Sequence, residues 1–202
     1  MRIVGGRFKG RALIGPRGEG IRPTSDRLRE TLFNILVHSH GDPVAGARVI
    51  DLFAGTGALG LEAISRGAAF ALLVDDGAQA RALIRENVEV LGLGGVTKIF
   101  RRDARRLGDA PPGPAYDLAF LDPPYDRGLA EPALTSLARG GWLKPEALVV
   151  VEEATAAMFE PAEGFDVLER RDYGETELIF LRFYASAPSR AVSGGGHDRG
   201  CC

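Results

Sequence analysis

The sequence predicts an α/β protein: a mostly parallel, seven-stranded sheet with helices on both faces, closed by an antiparallel hairpin. Three observations carry this. From residue 47 onward, β-rich apolar runs alternate with helical patterns, which argues for parallel strands joined by crossover helices. Ala47–Glu62, ARVIDLFAGTGALGLE, reads as strand, glycine turn and helix in immediate succession. That arrangement presents backbone N–H groups to a nucleotide-like ligand. Finally, Val167–Arg171 and Leu178–Phe183 are joined only by Asp172–Glu177, too short a link for a parallel crossover.

In chain order, Arg2–Pro16 alternates weakly around Gly5-Gly6 and reads as a β-hairpin. Pro16–Pro23 is a loop rich in glycine and arginine. Thr24 suits an N-cap with Asp26 in the first turn; Leu28, Leu32, Ile35 and Leu36 then share one helical face, and Gly41-Asp42-Pro43 ends the helix. Strands are expected near 47–53, 70–75, 96–100, 116–122 and 147–152, and helices near 58–66, 77–91, 128–139 and, briefly, 154–159. Beyond Tyr184 the tail is small, polar and glycine-rich, and is expected to be disordered. The expected organisation is a basic appendage over 1–44, a sheet domain over 45–184 and a tail over 185–202. A parallel sheet ending in one antiparallel hairpin resembles the Rossmann-like fold of methyltransferases that use S-adenosylmethionine (SAM).

Composition bounds the function. The chain has 202 residues, 45% hydrophobic and 26% charged, an ordinary globular balance and enough chain for a sizeable core. Its net charge is −2, yet residues 1–30 carry eight basic and three acidic side chains, which leaves the remainder near −7. The two cysteines, Cys201 and Cys202, are adjacent at the C-terminus and cannot staple a fold or build a zinc site, so a reducing, cytoplasmic compartment is expected. Met1–Lys9 has no apolar core of a signal peptide, and no apolar run approaches the roughly 18 residues of a membrane span. His38, His40 and His197 have no ligand spacing, so no metal is expected. The basic face of residues 1–30, with Arg7, Lys9, Arg11, Arg22, Arg27 and Arg29, reads as a grip for RNA.

The glycines of the turn fit G-x-G-x-x-G, with Asp75 about 20 residues on, as a dinucleotide site asks. Two further features point to SAM. Asp51 lies in the strand four residues before Gly55, and Asp122-Pro123-Pro124-Tyr125 (DPPY) ends a later strand. SAM offers an ammonium, a carboxylate, a ribose diol and an adenine, but no phosphate. Asp51 suits the ammonium, directly or through water. The turn from Phe53 through Gly55 and Gly57 lets backbone approach the ligand closely. Asp75 suits the ribose, and Asp103 with the backbone of Ala104 suits the adenine amino group. In DPPY, a carboxylate that accepts an N–H bond helps localise the lone pair of an exocyclic purine amine and takes its proton during methyl transfer. The two prolines stiffen the turn and orient a carbonyl, while Tyr125 can stack on an extruded base.

RPTSDRLRETLFNIL (Arg22–Leu36), VIDLFAGTGALGLEAISRGA and FLDPPY together resemble the RsmD family of bacterial methyltransferases, from Arg2 to about Phe183. The resemblance implies methylation of the N2 amine of a guanine in 16S ribosomal RNA, guanine 966, within naked RNA or a small-subunit particle. It implies SAM as cofactor, a monomer, and the residue roles given above. After the second strand this family often has an acid-x-acid pattern, whereas this chain reads Asp75-Asp76-Gly77. Other functions fit parts of the pattern. DPPY also serves the N6 amine of adenine in DNA, but no segment is large enough for a separate target-recognition domain. A nicotinamide oxidoreductase would use the same glycine turn and leave DPPY idle, and a non-catalytic RNA-binding protein would keep SAM as a structural ligand.

Overall fold

The computed structural model describes residues 1–16, 25–125 and 127–184. Its elements are α1 (Asp26–Ser39), β1 (Arg48–Leu52), α2 (Ala58–Ser65), β2 (Phe70–Val74), α3 (Ala78–Leu91), β3 (Thr97–Phe100), β4 (Tyr116–Leu121), α4 (Ala130–Arg139), β5 (Leu143–Ala154), β6 (Phe165–Tyr173) and β7 (Thr176–Phe183). The strands form one sheet in the order β3-β2-β1-β4-β5-β7-β6. The first five are parallel, and β7 runs antiparallel to both β5 and β6.

The apolar runs of the central strands are buried on both faces, so alternate residues feed two cores. Val49, Leu118, Phe120 and Val150 pack with α1, α2 and α3 on one face. Ile50, Leu72, Ala119 and Val149 pack with α4 and Trp142 on the other. The helix expected near 154–159 shrinks to a 3-10 turn, Thr155–Ala157, because β5 continues to Ala154 in register with Thr176 of β7. The hairpin turn is correspondingly tighter than expected, Gly174-Glu175, with Gly174 at φ 71°.

The N-terminal segment differs most from its expectation. The hairpin reduces to a single antiparallel bridge, Arg2 to Ala12, around a 3-10 turn at Gly6–Phe8. Residues 1–16 and α1 are also a packed layer, since Ile3, Leu13, Leu32, Phe33 and Leu36 belong to the same apolar cluster as the sheet. Buried polar groups fix this layer. Glu62 of α2 accepts from Val4 N at 2.8 Å, pairs with Arg66 at 2.8 Å and lies 3.7 Å from Arg29. Asn87 of α3 accepts from Ile14 N at 2.7 Å and donates to Ile14 O and Thr56 O, both at 3.0 Å. The N-cap of α1 is Ser25, whose Oγ accepts from Leu28 N at 3.1 Å. Thr24 and the tail from residue 185 lie outside the described residues. At the other end of α1, His40 stacks on Phe180 and its Nε2 lies 2.9 Å from Glu169, tying the helix to the terminal hairpin.

Candidate active site

Strand order reverses between β1 and β4, and ligands of open α/β sheets bind at such a point, beyond the carboxyl ends of the strands. A cavity of about 950 Å³ lies there. The ends of β1, β2, β4 and β5 supply Asp51, Asp75, Asp122 and Glu152 to its wall, and α1 closes one side with Arg27 and Thr31.

The glycine turn is built by left-handed backbone at Phe53 (φ 60°), Gly55 (φ 58°) and Gly57 (φ 78°). Left-handed geometry is costly for a phenylalanine and marks a position the surroundings enforce. The three glycine amides each have an acceptor within the protein. Gly55 N donates to Asp75 Oδ2 at 2.9 Å, Gly57 N to Ala54 O at 2.6 Å, and Gly60 N to Asp51 Oδ2 at 2.9 Å. The third glycine serves helix packing: a Cβ at Gly60 would meet Leu73 Cδ2 at 2.3 Å.

Asp51 is 1% exposed, and its Oδ1 is buried without a partner. Burial pushes its carboxyl up to about 7; the Gly60 N–H opposes this and the nearby Asp75 adds to it. An acid in that state is incomplete and fits a cationic donor, as the ammonium of SAM provides. Asp75 uses both oxygens on backbone, Oδ2 on Gly55 N and Oδ1 on Gly77 N at 2.8 Å. Burial raises its carboxyl too, against those two N–H bonds. Each oxygen retains a second lone pair for a ribose hydroxyl, and exposed Asp76 stands beside it on the cavity wall. Arg81 of α3 fixes this corner by donating to Asp76 O at 2.5 Å and Asp75 O at 3.3 Å.

Not every expected cofactor residue reaches the cavity. Gly57 is buried beneath the turn against Leu61, Leu73 and Ile84, and Asp103 and Ala104 are absent from the wall. Asp103 instead caps a 3-10 turn, bonding Arg105 N at 2.9 Å and pairing with the Arg105 guanidinium at 2.8 Å. The carboxylate expected to meet adenine is therefore engaged by a neighbour two residues along.

DPPY ends β4 as expected and lines the same cavity, with Pro123 buried and Pro124 exposed. The hydroxyl of Tyr125 donates to Glu152 Oε1 at 2.8 Å and meets Thr176 Oγ1 at 2.9 Å. Burial and the adjoining carboxylates raise its pKa well above the usual phenol value, so it stays a donor. Sequence reasoning missed Glu152, Thr176 and Tyr173, all lining this cavity. Glu152 carries a readable signal, an acid at the end of an apolar strand like Asp51, Asp75 and Asp122. Thr176 and Tyr173 carry none, because the hairpin brings them there from a distance.

The expected RNA residues scatter. Arg27 lines the cavity. Arg29 is 0% exposed and bonds Asp26 at 2.8 Å and the carbonyl of Arg2; it is a core guanidinium and cannot meet RNA. Exposed Arg7 and Lys9 belong to the 3-10 turn that Ser65 anchors at the far end of α2. They lie roughly 12 Å along that helix from the glycine turn, at 1.5 Å per residue. Arg11 is exposed beside the Arg2–Ala12 bridge, and Arg22 lies outside the described residues. Among the described residues, no group of three His, Cys, Asp or Glu is placed to hold a metal, and no helix is long and apolar enough to cross a membrane.

The sequence family described as "Conserved hypothetical protein 95" matches residues 1–182. The chain is 43% identical over 153 residues to ribosomal RNA small subunit methyltransferase D of Escherichia coli K12, covering 75% of this chain and 74% of that protein. It is 32% identical over 186 residues to the protein of the same name in Haemophilus influenzae, covering 91% and 93%. Among solved structures, yhhF of Escherichia coli superimposes with a TM-score of 0.76 at 33% identity, over 92% of this chain and 99% of that one.

Proposed function

This chain belongs to the RsmD family of ribosomal RNA small-subunit methyltransferases, and from that premise we propose that it methylates the N2 amine of a guanine in 16S ribosomal RNA, guanine 966, with SAM as cofactor. The observation that carries this is one cavity holding both an unpartnered buried oxygen of Asp51 and the DPPY turn. Bound there, SAM supplies an electrophilic methyl group on a sulfonium. Asp51 would hold the ammonium, Asp75 or Asp76 the ribose, and Phe53 and Gly55 the edge of the ligand. Asp122 accepts an N–H of the target amine, keeps the nitrogen lone pair aimed at the methyl carbon, and receives the proton as the N–C bond forms.

A nicotinamide dinucleotide suits this cavity poorly. The amides of Gly55, Gly57 and Gly60 are already bonded internally, and Asp51, Asp75, Asp76, Asp122 and Glu152 would all oppose a pyrophosphate. The same five carboxylates favour a cation.

Mass mapping of methylated nucleotides in 16S ribosomal RNA tests the proposal. A strain lacking this gene should lose one N2-methylguanosine, and wild-type protein with SAM should restore it on extracted RNA or small-subunit particles. An unchanged methylation map would sink the substrate assignment.

A further inference from the structure

The structure places a second carboxylate beside Asp122. Leu121 of β4 is in register with Val151 of β5, so Asp122 and Glu152 are the next pair along adjacent parallel strands. Such neighbours lie roughly 4.8 Å apart and present side chains to the same face. Both line the cavity. Glu152 is only 6% exposed and follows the apolar run Leu148–Val151, and a carboxylate placed so deep needs donors. Its Oε1 accepts from the Tyr125 hydroxyl, which Thr176 holds from the other side.

Resting on the guanine reading above, we propose that Glu152 is a specificity-determining residue that accepts the N1–H of the target guanine while Asp122 accepts from the N2 amine. Guanine presents donors at both N1 and N2 on its Watson–Crick edge, and two carboxylates present only acceptors. Adenine offers an acceptor at N1 beside its N6 amine, so its N1 lone pair would face Glu152 and leave the buried carboxylate without that donor. A site built for a hydrogen bond rejects an analogue lacking the partner far more strongly than an apolar pocket rejects a misfit. The tyrosine of DPPY acquires a second duty, because its hydroxyl fixes the rotamer of the carboxylate that reads the base.

The probe is a small-subunit particle reconstituted with 16S RNA carrying 2-aminopurine in place of the methylated guanine. That base keeps the N2 amine but has no proton on N1. Wild-type protein should prefer guanine by roughly 10⁴–10⁵ in kcat/KM. Glu152→Gln retains an acceptor for Tyr125 and offers N–H to an unprotonated N1. It should lower guanine turnover, raise 2-aminopurine turnover and collapse the preference below about tenfold, with the SAM-induced thermal shift unchanged. Equal turnover of both bases by wild type overturns the inference alone, as does a Glu152→Gln protein that slows both equally. Failure of wild type on guanine particles overturns the underlying reading, and this inference with it.

Discussion

Asp51 shows how one side chain links ligand, pH and stability. Its folded pKa of about 7 stands above the ordinary 3.8, so between those values the native protein holds a proton that the unfolded chain has released. Without ligand, this group therefore stabilises the fold most below about pH 4, and that contribution is lost as pH rises through 7. A bound ammonium favours the ionised form and acts in the opposite direction. The thermal shift induced by SAM should thus be larger at pH 8 than at pH 6, and Asp51→Asn should flatten the difference. A pH-independent wild-type shift would separate this carboxylate from the ammonium. Asp122→Ala should hold SAM affinity within a few-fold and lower turnover by roughly 10²–10⁴, the usual share of a positioned acid–base group. Asp122→Asn should also be poor, since an amide accepts a hydrogen bond but no proton. Taken alone, the stacking role of Tyr125 predicts a mild Tyr125→Phe. The hydroxyl bonds to Glu152 and Thr176 reverse that expectation. Losing them releases the Glu152 carboxylate from the hydroxyl that positions it, so Tyr125→Phe should lower kcat/KM about 10- to 100-fold in a methyl-transfer assay.

At the scale of elements, the three turn glycines do different work. Gly55 faces the cavity at φ 58° with space beside it, so Gly55→Val should abolish the SAM shift through backbone strain and ligand contact. Gly60 lies where α2 touches β2, and Gly60→Ala should cost about 1–3 kcal/mol in urea unfolding by overpacking against Leu73. A Gly60→Ala protein as stable as wild type would mean that α2 and β2 can separate freely. Asn87 joins α3, the N-terminal segment and the glycine turn with three hydrogen bonds. Asn87→Ala strands backbone groups of Ile14 and Thr56 and should lower both the melting temperature and SAM affinity. Unaltered SAM affinity in that variant would show that the turn holds its shape without the latch.

Across the whole molecule, a carboxylate-rich cavity must receive a polyanion. Cations at the carboxyl edge of the sheet can offset that charge. Arg27 is on the wall, and exposed Arg101, Arg102, Arg105 and Arg106 follow β3 at the same edge of the sheet. Arg105 also feels the charge of Asp76 on the cavity wall. Arg7 and Lys9 sit at the other end of α2. Each phosphate contact removed should flatten the slope of log K against log salt by roughly 0.7–0.9. Changing Arg27, Arg101 and Arg102 to Gln should flatten it by roughly 2–3 in RNA-binding titrations, whereas changing Arg7 and Lys9 should leave it nearly intact. The reverse result would move the RNA path onto the N-terminal face.

The sequence by itself determined the parallel sheet, its order of strands and helices, the terminal hairpin, and the placement of Asp51, Asp75 and DPPY at strand ends. These follow from local periodicity and turn chemistry, which neighbouring residues impose on one another. Only tertiary structure decided which charges remain available. Arg29 reads as one more basic residue of a surface helix, yet Glu62, distant in sequence, draws it into the core. Asp103 stands at a strand end like the other acids, yet Arg105 engages it outside the cavity. Glu152 and Thr176 become partners of Tyr125 only when β5 and β7 pair beside β4. A side chain's burial and its hydrogen-bond partners depend on contacts far along the chain, and no local pattern encodes them.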